Sequence, residues 1–166
     1  MAEFDPRAIF DALDRYEVRY VLIGGMAAIL HGASHVTTDV DVVPQDARDN
    51  LERLTQVLRE LHARIRVVGE PDGVPFDPSP DALARVRVWN LQTDVGDVDL
   101  TFEPAGTHGF EDLRRDAIVM HLRSGDVTVA SLADVVRSKE AADRPRDRAA
   151  LPGLRSLLTS QLRGGR

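Results

Sequence analysis

Two short stretches carry carboxylates at alternate positions: Thr38-Asp39-Val40-Asp41 in one and Asp97-Val98-Asp99-Leu100 in the other. Residues two apart on an extended strand point to the same face, so each stretch holds two like charges side by side while its apolar residues turn the opposite way. That crowding raises the pKa of both acids unless a cation relieves it. Magnesium suits such a place, because it takes one or two carboxylates and completes its shell with water and substrate phosphates. If the two strands are neighbours, Asp39, Asp41 and a third aspartate make a cluster able to hold two divalent ions about 4 Å apart. One ion would activate an attacking hydroxyl and the other would steady a leaving pyrophosphate. Strand spacing alone leaves Asp97 and Asp99 equivalent, and a solvent-facing polar face is the plain alternative for the Asp39–Asp41 strand taken by itself.

Upstream, VRYVLI reads as a strand that stops at Gly24-Gly25, followed by MAAILH as a short helix closed by Gly32. Glycines at a strand-to-helix turn let the backbone approach a ligand closely, and free amides at a helix start attract phosphate. By itself the turn is a weak signal. His31 and His35 stand four apart, but Gly32 between them and the lack of a partner ligand argue against zinc.

The elements that must position these residues follow from periodicity. DPRAIFDALDRY is an amphipathic helix with Pro6 in its first turn, and residues 46–63 form a long helix with apolar residues at helical spacing. TTDVDVV is a strand closed by Pro44, and IRVV is a short strand. EPDGVPFDPSPD, with four prolines, is expected to be a loop. ARVRVWNLQT and DVDLTFE read as an antiparallel pair, with Arg85 and Arg87 sharing a face and Trp89 packing on the sheet. GFEDLRRD is a helical turn or two, and AIVMHLRSGDVTVA is a pair of short strands. SLADVVRSKEAAD is a helix with Ser131 as its cap, and a last helix begins at Pro145 and runs to about Leu162. The expected class is α+β: a mixed sheet with helices packed mainly on one face and two C-terminal helices, as a single domain over residues 1–166.

The 166 residues carry a net charge of −6 and no cysteine, so neither a disulfide framework nor a thiolate metal site is available. No apolar run reaches membrane-spanning length and no secretion signal opens the chain, which makes the cytoplasm the expected compartment. The overall charge argues against a general nucleic-acid coat and DNA is not an expected partner. The charge is uneven, however: residues 137–166 hold eight basic and three acidic side chains, a balance of +5 against −11 elsewhere. That asymmetry lets a polyanion approach one side.

Taken together, the strand, Gly24-Gly25, the short helix, Thr38-Asp39-Val40-Asp41 and the later Asp99 resemble the nucleotidyltransferase fold of the polymerase-β-like superfamily. SLADVVRSKEAADRPRDRAAL is similar to the C-terminal signature of its toxin-like branch, the AbiEii and MenT-type proteins of bacterial toxin–antitoxin systems. The resemblance implies that Asp39, Asp41 and Asp99, favoured over Asp97, bind two Mg2+ ions, with Asp99 also taking the proton of the attacking hydroxyl. It further implies that Gly24, Gly25 and Thr38 hold a nucleoside triphosphate (NTP) and that Lys139 faces its phosphates. His35, Arg144 and Asp147 would serve as supporting residues. His35 stands where many relatives carry arginine, and Ala150 where the family has a second C-terminal aspartate.

The activity so implied is transfer of a nucleoside monophosphate (NMP) from the NTP to the 3′ end of tRNA, blocking translation, with a cognate antitoxin protein as partner. Transfer to a protein hydroxyl, as in adenylylating antitoxin-type relatives, and a non-catalytic binding module are the alternatives. A small-molecule acceptor is less expected, since no added substrate domain is seen.

Overall fold

A computed structural model describes residues 2–165, with seven helices and eight strands among them. The strands form a mixed sheet that runs from β4 (Glu70–Val74) and β3 (Arg64–Val67) at one edge, through β5, β6, β2, β1 and β8, to β7 (Ile118–Leu122) at the other. At its centre lie β1 (Tyr20–Ile23), β2 (Asp39–Pro44) and β6 (Gly96–Thr101), with β5 (Val88–Thr93) beyond β6. β2 runs parallel to β6, and β1 runs parallel to β8 (Gly125–Val129) while lying antiparallel to β2. Among the described residues no helix is long and apolar enough to cross a membrane.

The alternation seen in the sequence sorts the side chains of β2 and β6. Val40, Val42, Val98 and Leu100 are buried in the core, whereas Asp39, Asp41, Asp97 and Asp99 are half-buried on the other face. All four residues of β1 are buried, so both of its faces are covered. α1 (Pro6–Arg15) and α3 (Arg48–Glu60) pack on each other and bury Ile9, Leu13, Leu51, Leu54 and Leu58. Each such side chain contributes about 1.5–3 kcal/mol by leaving water. α2 (Gly24–Leu30) lies against β1, β2 and α6 (Leu132–Ala142), and α6 lies against α7 (Pro145–Gly164). This second group of helices walls off the carboxylate face.

Two sequence expectations change. The proline-rich segment is not a plain loop: it contains β4 (Glu70–Val74) and the start of α4 (Pro80–Arg85). Pro71 is tolerated because β4 is an edge strand with no outer partner to donate to. Pro80 sits in the first turn of α4, whose cap Ser79 accepts a hydrogen bond from the Ala82 amide at 3.1 Å. Consequently Arg85 ends a helix and does not share a strand face with Arg87, which pairs with Asp46 and lies 4.8 Å over the Phe102 ring. Trp89 stacks on Phe76 at 5.4 Å, in a packing role.

Candidate active site

The parallel register of β2 and β6 sets Asp39 opposite Asp97 and Asp41 opposite Asp99. Carboxylate oxygens of Asp39, Asp41 and Asp99 come within 4.8 Å of one another. Asp97, on the same face, turns instead to Arg66 of β3 (Arg64–Val67), whose guanidinium also donates to Asp99 Oδ1 at 2.9 Å. The third acid of the cluster is therefore Asp99. Thr37 Oγ1 donates to Asp39 Oδ1 at 2.8 Å and steadies that carboxylate.

The cluster is electrostatically uncomfortable without a cation. Burial, with Asp39 and Asp99 beside it, pushes Asp41 up to about 7, against the pull of Arg146 and Lys139. Burial likewise lifts Asp99 to about 6, with Arg66 opposing and Asp39 and Asp97 reinforcing the rise. Three hard oxygen donors that repel one another in a half-buried pocket are a fitting donor set for a hard divalent ion such as Mg2+. Asp39, Asp41 and Asp99 are the residues that would hold it.

Gly24 has φ +75, and a Cβ built there would stand 2.8 Å from Asp41 Cγ and closer still to Oδ2. Only glycine meets both demands, so the turn and the carboxylate are made for each other. Gly25 is nearly as tight, its Cβ position lying 3.0 Å from Thr37 Oγ1. Thr38 is exposed and lies outside the cleft; its neighbour Thr37 lines it. His35 lines the cleft mouth, whereas His31 is buried with Nε2 2.8 Å from the Ala130 carbonyl, so the two histidines do not converge.

The opposite wall of this cleft of ≈ 1190 Å³ comes from α6 and α7 and presents Lys139, Arg144 and Arg146. Asp147 is fully buried beneath them. Its carboxylate accepts from Lys139 Nζ at 3.3 Å, from Arg144 Nε at 2.6 Å and from the Arg144 amide at 3.2 Å. Burial pushes its pKa up, but the Arg144 and Lys139 charges win and hold it below the usual carboxylate value. Asp147 and Arg144 thus cap α7 and fix where Lys139 points. Arg146 was not singled out by sequence, yet it lies in the cleft with no ion-pair partner among the described residues and acts on Asp41 through its field. Arg66 was also missed. Its alternation with Arg64 in RIRV was a strand signal, but nothing in the sequence told which strand would lie near β6.

A mixed sheet with carboxylates on adjacent β2 and β6 strands, behind a Gly-Gly turn, defines the chain as having the nucleotidyltransferase fold. Among solved structures it is similar to the lincomycin-bound lincosamide antibiotic adenylyltransferase LnuA. That match has a TM-score of 0.60 and 15% identity, covering 93% of this chain and 99% of that one. It is also similar to the antibiotic-resistance factor ANT(2'')-Ia (TM-score 0.56, 15% identity, 94% and 82% covered). A protein from Thermotoga maritima assigned as a nucleotidyltransferase gives a TM-score of 0.53 at 15% identity, with 96% and 97% covered. No protein-family model and no curated protein matches the sequence.

Proposed function

We propose that the protein moves an NMP from an NTP to an acceptor hydroxyl. The observation that supports this most directly is the convergence of Asp39, Asp41 and Asp99 across the β2–β6 register, facing Lys139 and Arg146 over the cleft. In the reaction the acceptor oxygen bonds to the α-phosphorus, the bond from that phosphorus to the β-phosphate bridging oxygen breaks, and pyrophosphate leaves. Asp99 takes the hydroxyl proton. Lys139 and Arg146 offset the charge that grows on the departing phosphates. Gly24 and Gly25 let the backbone come close to the triphosphate, and Asp39, Asp41 and Asp99 would hold Mg2+. Bound there, Mg2+ supplies Lewis-acid stabilisation of phosphate charge.

For the acceptor, the toxin-like C-terminal signature supports the 3′ end of tRNA, with an antitoxin as partner. A second reading, a small-molecule hydroxyl, draws support from two observations. One is that LnuA and ANT(2'')-Ia are named for antibiotics, and this chain covers 99% of the LnuA chain, so a small acceptor does not demand an added domain. The other is that most basic side chains of the C-terminal segment are already engaged in ion pairs. Arg137, Lys139, Arg144, Arg148 and Arg155 each pair with an acid, leaving only Arg146 and Arg163 unpaired among its described residues.

The test supplies each α-labelled NTP with Mg2+ and, in separate reactions, total tRNA, a cell lysate or a panel of aminoglycosides and lincosamides, beside Asp41→Ala. Label on RNA favours the toxin reading, label on a small molecule the second, and label on a protein band the antitoxin-type alternative. Equal labelling by Asp41→Ala would remove the site assignment, and no label anywhere would leave a binding module.

A further inference from the structure

We propose that Arg66 is a positioning residue for the transfer reaction: anchored on Asp97, it clamps Asp99 in the orientation from which that carboxylate serves the site. This rests on the reading above. Of the three clustered carboxylates only Asp99 is ion-paired: Asp39 is held by a neutral threonine, and Asp41 has no side-chain partner within hydrogen-bond distance among the described residues. The guanidinium that holds it arrives from β3, with the whole of β5 in between. That crossing spans about 9–10 Å at ordinary strand spacing and requires a long, extended side chain. At its far end the planar fork meets two carboxylates that share one face of β6, Asp97 and Asp99.

An exposed ion pair of this kind would contribute almost nothing. Here the Asp99 side chain is only 14% exposed and the arginine 34%, so the pair is largely shielded from water. Two cross-strand rows frame it. Arg64, Gln92, Asp97 and Asp39 form one row across the sheet, and Asn90, Asp99 and Asp41 form the next. Arg66 follows Arg64 by two residues and extends the second row on the same face. Asp97, which the metal cluster does not use, thereby has a role: it fixes the second donor of the fork, so that Asp99 cannot rotate with the arginine following it. A lysine offers a point charge without the fork and replaces only part of this.

The experiment compares wild type with Arg66→Ala, Arg66→Lys, Asp97→Asn and, as a control on the same strand, Arg64→Ala. Two quantities are read: Mn2+ affinity without nucleotide, by electron paramagnetic resonance, and kcat and KM for the NTP. Arg66→Ala is expected to lower Mn2+ affinity at least threefold and kcat 10- to 100-fold, with KM within twofold. Arg66→Lys should recover part of both losses, Asp97→Asn should move both the same way by less, and Arg64→Ala should leave them within twofold. Unchanged or tighter Mn2+ binding with unchanged or higher kcat in Arg66→Ala overturns the proposal, since the arginine would then compete with the cation. If wild type binds Mn2+ but transfers nothing, the transfer reading fails while the Mn2+ arm still decides the clamp. Should Arg66→Ala not fold, Arg66→Lys and Asp97→Asn carry the comparison.

Discussion

Asp41 is asked to carry charge in a place that resists it, and the consequence is measurable. Facing it are Asp39 from its own strand, Asp99 from β6, and Lys139 and Arg146 from the helices opposite. Its folded pKa, about 7, lies above the ordinary value of 3.8, so the folded state binds this proton more tightly than the unfolded chain does. Chelator-treated protein should therefore lose stability as pH rises from about 4 to about 7, and Mg2+ should restore it most strongly at the upper end, where no proton competes. Thermal melts with EDTA and with Mg2+ across that range check the sign. Asp41→Asn should abolish transfer yet raise the stability of chelated protein at pH 8 by on the order of 2 kcal/mol, because a charge opposed by burial and by two neighbouring carboxylates is gone. The two Asp-x-Asp patterns were legible because alternation has period two whatever else the chain does. Arg66 and Arg146 were not, since what each touches is decided by strand order and helix docking, which no local pattern encodes.

At the level of elements, the site depends on one turn and one helix cap. Gly24→Ala puts a Cβ against the Asp41 carboxylate and a side chain at φ +75, so a loss of about 2 kcal/mol or more is expected together with loss of transfer. Denaturant melts beside activity assays read both. The cap separates two roles that sequence left merged. Lys139→Met should cut kcat by about 10²-fold or more with a modest change in stability. Asp147→Ala should instead destabilise by about 3–5 kcal/mol, because Lys139 and Arg144 lose the buried acid between them. Most element boundaries followed from apolar periodicity and from end signals such as Pro6 and the cap Ser131. The misread segment, residues 70–85, is the one where proline marks an edge strand and a helix start in quick succession, two uses that look alike until neighbouring strands are known.

Over the whole molecule, pairing of the basic C-terminal side chains limits how a polyanion can be gripped. If only Arg146 and Arg163 meet phosphates of a single strand, the logarithm of RNA affinity should fall with the logarithm of salt at a slope of about −1.4. Titrations at several salt concentrations decide this, and a slope several times steeper would mean that the ion pairs on α6 and α7 open on binding. The parallel alignment of β2 with β6 has a kinetic consequence as well. Its two strands lie far apart along the chain, with α3, the β3–β4 hairpin, α4 and β5 threaded between them. Such a long loop is costly to close, and pairings of this type form late. A divalent ion then has nothing to grasp until the rate-limiting barrier is crossed: Mg2+ should lengthen the lifetime of the native state while leaving the refolding rate untouched.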